Sequence, residues 1–270
     1  MRVEKRFFPG SLKYLSILSV ISCLIMGLLF TPVQVKAEGG AGLPHLIQAT
    51  SLKEDYQAMT ELGLAYTPVL DHEDVGLAFE NVAISCVRIQ VAGHYGSGSI
   101  YRLLPQEIIV VTNQHVLQYW DEDSYLTFYN GVAAGGRLIG TDSYTDVGFI
   151  SVSLDNFSWE QLLGMRNVRP LLSGGNVLTG RDCLLVDMAT DSTEPVSYQG
   201  HILEERRYLE DFGQEMLYGE GIALPGMSGS GIYDGFGNYL GMLTGGTLQG
   251  QMAGVPADVI QKVYEEIAGY

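Results

Sequence analysis

The stretch Gly226-Met227-Ser228-Gly229-Ser230-Gly231 sets a serine between glycines, after Leu224-Pro225 and before the strand-like Ile232-Tyr233. A serine hydroxyl becomes a nucleophile only when a base removes its proton, and attack on a carbonyl needs donors for the oxyanion that forms. Glycines on both sides let the backbone turn tightly and bring N–H groups near such a carbonyl. Gly-Ser-Gly text is also ordinary turn or linker sequence, so a base and an orienting acid decide the matter. His115 follows the apolar run Ile108-Ile109-Val110-Val111 and the polar Thr112-Asn113-Gln114, a rim position from which a general base acts on a rigid element. A lone histidine there is also compatible with a surface or core role. Asp146 stands just before Val147-Gly148-Phe149-Ile150, where an acid can be fixed against an imidazole. Asp142 competes with it for that role, and Ser230 is a weaker alternative to Ser228.

Short strands must position these residues. From Val82 onward, runs rich in β-branched residues alternate with glycine-bearing turns. Strands are expected at 83–91, 98–104, 107–112, 125–129, 133–139 and 147–152, then at 183–188, 196–203, 215–220, 229–234, 239–244 and 251–255. The texture is that of an all-β sandwich or barrel. The stretch 155–178, with Trp159-Glu160-Gln161-Leu162-Leu163, reads as a short helix and a connection. Leu52, Tyr56, Met59 and Leu62 share a face of a helix that Thr50 or Ser51 can cap and Gly63 can end. Tyr66–Glu80 reads as an acidic loop. Pro256 opens a terminal helix with Val259, Ile260, Val263 and Ile267 at helical spacing.

The N-terminus has the order of an export signal. Arg2, Lys5, Arg6 and Lys13 precede an apolar run of 16 residues from Leu15 to Phe30, and Val35-Lys36-Ala37 supplies a cleavage site. The run is short for a span of about 20 residues, so an uncleaved membrane anchor is the secondary reading. Cleavage after residue 37 leaves 233 residues with 10 basic and 30 acidic side chains, a formal net charge of −20. Such a surface is repelled by nucleic acid and anionic membranes, and no stable membrane association is expected after cleavage. Residues 38–49 read as a flexible entry. Cys86 and Cys183 then remain, both in strand-like runs; a bridge is permitted, but two buried free thiols are the expected outcome.

The order His115, Asp146, Ser228 within a double run of strands resembles the trypsin-like (chymotrypsin-fold) serine peptidases, most of all the bacterial HtrA and glutamyl-endopeptidase branches. Thr112-Asn113-Gln114-His115-Val116 is similar to their Thr-Asn-x-His-Val segment, and Thr145-Asp146-Val147-Gly148 to their Thr-Asp-hydrophobic-small segment. Gly226-Met227-Ser228-Gly229-Ser230 is similar to Gly-x-Ser-Gly-Gly/Ser. Gly96-Ser97-Gly98-Ser99-Ile100 and Gly254-Val255-Pro256-Ala257 extend the likeness over residues 80–268. The resemblance implies two perpendicular six-stranded antiparallel barrels, with a short N-terminal helix and a C-terminal helix. The first barrel, 80–155, would carry His115 and Asp146. The second, 179–255, would carry Ser228, with 38–79 as an extension, 156–178 as the connection and 256–270 as the terminal helix. It further implies a secreted endopeptidase acting on polypeptides through a Ser228-His115-Asp146 triad, with the N–H groups of Gly226 and Ser228 as the oxyanion hole. Thr244 would support the aspartate, and neither a metal nor an organic cofactor would be needed.

Two departures from the family pattern bear on regulation. Digestive zymogens place an aspartate before the nucleophile to receive a new N-terminal amine; Met227 stands there, so activation by that insertion is not expected. A PDZ module, which HtrA relatives carry after the terminal helix, is not expected. The resemblance also aligns Ile222, six residues before Ser228, with Thr244, Gly245, Gly246 and Val255 as an apolar specificity pocket for small or medium apolar side chains. The alternative to an endopeptidase is a catalytically silent relative that binds peptides or proteins in the inter-barrel cleft.

Overall fold

The computed structural model describes residues 52–172, 178–190 and 194–269. The expected export signal, the entry segment and the helix cap at Thr50 or Ser51 lie outside them. Helix α1 (Leu52–Glu61) buries Tyr56 and Met59. Helix α2 (Val75–Ala83) occupies part of the expected acidic loop and the first residue expected as strand. Its cap explains the difference: Asp74 accepts a hydrogen bond from the Leu77 N–H at 3.0 Å, satisfying one of the donors that a first turn leaves open.

The first sheet follows. Its strands are β1 (Cys86–Val91), β2 (His94–Leu103), β3 (Glu107–Thr112), β4 (Tyr125–Phe128), β5 (Ala133–Gly135), β6 (Arg137–Asp142) and β7 (Val147–Ser153). They lie in the order β5-β4-β1-β2-β3-β7-β6, all antiparallel, as a curled seven-stranded sheet where six strands and full closure were expected. The segment expected as one strand at 133–139 is two. The backbone at Gly136 passes so close over β7 that a Cβ there would lie 2.5 Å from Ile150 Cγ2, and the chain kinks between β5 and β6.

Helix α3 (Trp159–Gly164) interrupts the strands. It opens with a capping box in which Ser158 Oγ accepts from the Gln161 N–H, while Gln161 Oε1 accepts from the Ser158 N–H at 2.8 Å. The second sheet comprises β8 (Asp182–Asp187), β9 (Val196–Leu209), β10 (Gln214–Glu220), β11 (Gly231–Asp234), β12 (Tyr239–Gly246) and β13 (Gln251–Pro256). It closes as a barrel in the order β10-β13-β12-β11-β8-β9. Helix α4 (Ala257–Ala268) ends the chain, with Gly269 in the left-handed conformation at φ 75°. Its Ile267 fills the space above Gly140 on β6.

Period-two alternation sorts the core. In β3, Ile108 and Val110 point into the first sheet with Val87, Ile89, Phe128 and Ile150, under Tyr56 and Met59 of α1. Ile109 and Val111 point the other way, into a layer shared with Val186, Tyr233, Tyr239, Met242 and Val255 of the second barrel and Ile260 and Val263 of α4. That shared layer fixes the cleft. Leu185, Leu217, Met227, Ile232, Leu243 and Met252 fill the second barrel. The segment between α1 and α2 bonds to the inter-barrel connection and to the second barrel: Thr67 N–H donates to Asn167 O at 2.8 Å, Leu70 N–H to Phe236 O at 2.9 Å and Asp74 N–H to Gly235 O at 3.0 Å. Among the described residues no helix is long and apolar enough to cross a membrane.

Candidate active site

Strand β3 ends at Thr112 and hands the chain to Asn113, Gln114 and a 3-10 turn that starts at His115. Asp146 sits on the neighbouring rim, one residue before β7, at φ 59°. A left-handed backbone is uncommon for any residue with a Cβ, although aspartate is among those that visit it. Here it is held by a cluster of bonds. Its carbonyl accepts from Gln114 N–H at 3.1 Å and Asn113 Nδ2 at 3.2 Å. Its carboxylate accepts from His115 N–H at 3.0 Å and meets His115 Nδ1 at 2.8 Å through Oδ2 and 3.0 Å through Oδ1. With Nδ1 against a carboxylate, a neutral imidazole carries its proton on Nδ1 and keeps Nε2 as its acceptor. The Asp146 side chain is 16% exposed and that of His115 45%, so the acid is shielded while the ring reaches solvent.

Ser228 approaches from the second barrel. Its carbonyl accepts from Ser97 N–H of β2 at 2.8 Å, which fastens the serine turn to the first sheet. The place where Gly96 would carry a Cβ lies 2.7 Å from Val116 Cγ1 and 3.4 Å from the Ser228 carbonyl, so the residue after His115 and the serine turn flank the same glycine. Gly226 and Gly229 take φ values of 95° and 89°, which side-chain-bearing residues rarely adopt. Met227 N–H donates to Leu224 O at 3.0 Å and Ser230 N–H to Met227 O at 2.9 Å. Among the described residues the N–H groups of Gly226 and Ser228 have no protein acceptor. Likewise no hydrogen bond joins Ser228 Oγ to His115, a distance that such sites commonly tighten on binding substrate.

The two competing candidates have other partners. Asp142 accepts from Tyr144 N–H at 2.9 Å and Thr145 Oγ1 at 2.8 Å, closing its own turn. Ser230 is fully buried, with its hydroxyl 3.3 Å from Asp187 Oδ1. Thr244 Oγ1 accepts from Asn113 Nδ2 at 2.9 Å, so it reaches Asp146 through Asn113, whose Nδ2 also holds the aspartate's carbonyl. Sequence reasoning missed Asn113 and Asp187. Asp187 had a signal: a carboxylate closing the apolar run Cys183-Leu184-Leu185-Val186 must be buried with donors or not be buried at all.

A cavity of about 290 Å³ opens beside Ser228, lined by residues 223–225 and 243–248. No ionisable side chain lines it. Thr244, Gly245 and Gly246 belong to the lining, and Ile222 and Val255 do not. A Cβ on Gly246 would lie 2.4 Å from the Ala223 methyl, so these two lining residues are in contact, while Ile222 is 42% exposed. Val255 is buried in the layer between the barrels. Cys86 and Cys183 are free and buried, and burial raises both thiols, Cys86 further through the nearby Asp187 carboxylate and Cys183 to about 12. No cluster of three His, Cys, Asp or Glu side chains able to hold a metal occurs among the described residues.

Comparison with known proteins accords with this architecture. No protein-family model matches the chain. A "Serine protease HtrA-like" protein of Staphylococcus aureus (strain bovine RF122 / ET3-1) is 22% identical over 184 residues, covering 64% of this chain and 23% of that protein. The chain therefore spans about a quarter of the length of that relative. Among solved structures, Rv3671c from M. tuberculosis H37Rv, an inactive serine-to-alanine mutant, matches with a TM-score of 0.57 at 15% identity, over 75% of this chain and 97% of that one. The closed six-stranded barrel, the curled sheet beside it and the terminal helices make this a chymotrypsin-like two-barrel fold, and its sequence is distantly similar to that of an HtrA-like serine protease.

Proposed function

We propose that the chain is an exported serine endopeptidase that cleaves polypeptides after small or medium apolar residues. The observation that carries this reading is the two-point contact of His115 with Asp146, through ring and backbone, at the rim faced by the serine turn. Ser228 Oγ attacks the scissile carbonyl carbon as its proton passes to His115 Nε2. The negative charge gathers on the carbonyl oxygen, where the uncommitted N–H groups of Gly226 and Ser228 receive it. His115 then gives the proton to the departing amine, and the acyl-enzyme is hydrolysed by water through the same base. Asp146 holds the ring's tautomer and balances the imidazolium; Asn113 and Thr244 hold Asp146. Every step uses side chains and backbone donors of this chain.

The apolar lining of the cavity supports the specificity. Ala223 against Gly246 in that lining suits a short side chain, and it has no charged group to match Lys, Arg or Glu. The basic and apolar N-terminal pattern supports export. The test is labelling of full-length protein with a fluorophosphonate and mapping of the adduct. Modification at Ser228, lost in Ser228→Ala, is expected together with peptide-library cleavage after Ala, Val or similar residues. A folded wild-type protein that takes no label would leave the silent peptide-binding relative as the correct reading, and cleavage chiefly after Lys, Arg or Glu would refute the pocket assignment.

A further inference from the structure

Asp187 closes β8 and is fully buried. Removing a carboxylate from water costs several kcal/mol unless charges or donors replace its hydration. Five donors do so here, all of them neutral. Oδ1 accepts from Ser97 Oγ at 2.6 Å, Ala189 N–H at 3.1 Å and Ser230 Oγ at 3.3 Å. Oδ2 accepts from Thr190 N–H at 3.1 Å and from Thr190 Oγ1. The mechanism proposed above uses none of these contacts.

The donors nevertheless surround the serine turn. Ser97, whose hydroxyl lies on Asp187, holds the Ser228 carbonyl with its own N–H at 2.8 Å. The same hydroxyl accepts from Met188 N–H at 3.2 Å, so it is locked in both directions. Ser230 ties the far end of the turn to the carboxylate. Thr190, held at N–H and hydroxyl, presents its methyl to Gly226: the place of a Cβ on Gly226 is 3.7 Å from Thr190 Cγ2. The turn has no charge of its own with which to fix itself, because Met227 is buried among the apolar residues of the second barrel.

We propose that Asp187 is the positioning residue of the serine turn: a buried carboxylate, satisfied by neutral donors from β2, from the residues after β8 and from the turn itself, that holds Gly226 at positive φ with its N–H uncommitted. The inference rests on the peptidase reading. It makes the oxyanion-binding conformation a property of the folded chain, present without a freed N-terminal amine or any other cationic partner.

The experiment compares full-length wild type, Asp187→Asn, Thr190→Val and Ser228→Ala, normalised by folded protein. Asp187→Asn keeps the shape but turns an amide N–H₂ toward donors. The expected result is a fall of about 10- to 100-fold in kcat and in fluorophosphonate labelling rate, with KM within about threefold, because the loss is confined to groups that act in the transition state. A purely structural role lowers the yield of folded protein and leaves kcat per folded molecule unchanged. Thr190→Val removes a single donor at constant volume and is expected to slow labelling about 3- to 10-fold. It decides the matter if Asp187→Asn does not fold. Wild-type labelling rates in Thr190→Val, or in folded Asp187→Asn, overturn the proposal while leaving the peptidase reading intact. Absence of labelling in the wild type overturns both.

Discussion

Gly229→Ala separates steric from conformational demands at the serine turn, and its cost can be worked out in advance. Gly229 has φ 89°, and a Cβ built there lies 1.8 Å from the Ser97 carbonyl oxygen and 2.5 Å from Thr112 Oγ1. The left-handed backbone alone costs an alanine about 1–2 kcal/mol. Relief of a 1.8 Å contact requires displacing a backbone carbonyl in a paired strand. That carbonyl accepts from Thr112 Oγ1 at 2.7 Å, and the same residue's N–H holds the Ser228 carbonyl at 2.8 Å. Each of those bonds is worth about 1 kcal/mol net. The expected loss is therefore about 3–4 kcal/mol, a large share of the roughly 5–15 kcal/mol typical of a domain. Gly131→Ala is the control, since its φ is 79° but a Cβ there meets nothing within 4 Å, so only the backbone term of about 1–2 kcal/mol applies. Urea unfolding of both variants in a Ser228→Ala background, which prevents self-cleavage, reads the difference. Equal losses in the two variants would refute the claim that the serine turn is wedged against β2.

Four further outcomes are expected. Asn113→Ala removes the donor shared by Thr244 and Asp146, and should lower the fluorophosphonate labelling rate of Ser228 about tenfold and cost about 1–3 kcal/mol of stability; an unchanged rate would remove Asn113 from the site. Ala223→Gly removes a methyl group from the cavity lining, so kcat/KM for Leu relative to Ala before the scissile bond should rise about fourfold, as one buried methylene contributes about 0.8 kcal/mol; a ratio within twofold of wild type would remove Ala223 from the specificity pocket. Burial raises Cys183 from its ordinary 9.0 and Tyr101 from its ordinary 10.0, each to about 12, which favours the protonated forms in the folded state. The stability they contribute is complete below pH 9 and is lost as pH climbs toward 12, so the urea midpoint should decline across that window. Both thiols should likewise resist Ellman's reagent at neutral pH until the protein is unfolded, and rapid native titration of either would contradict their burial.

The sequence was most informative where apolar runs end abruptly on polar residues. Glu107–Thr112 has the expected bounds, and the residues just outside β3 and β7 are His115 and Asp146. It was least informative where a tertiary contact replaces a local signal. Strand β9 continues to Leu209 instead of stopping near 203, because its distal half is solvated on both sides and loses the alternation that marks a strand. The division of β5 from β6 depends on how closely Gly136 passes over Ile150, which no local pattern encodes. Helix α2 was hidden among acids, one of which is its cap. The contact of Gly246 with Ala223 in the cavity lining joins residues 23 positions apart in the chain. Asn113 reads as a strand-end polar residue until Thr244 is seen against it.

The segment between α1 and α2 has a mechanical consequence. The two halves of the molecule are joined in sequence by the stretch that contains α3, which as a lone tether would permit them to rock about one pivot. Helix α1 is anchored on the first sheet through Tyr56 and Met59, and the bonds from Leu70 to Phe236 and from Asp74 to Gly235 fasten the segment after it to the second barrel, which adds a second crossing at a distance from the first along the chain. A body pinned at two points cannot hinge freely about either. Small displacements at the cleft must then arise from loops moving on a fixed frame, and the amides of Leu70 and Asp74 report on that frame as faithfully as those of the strands.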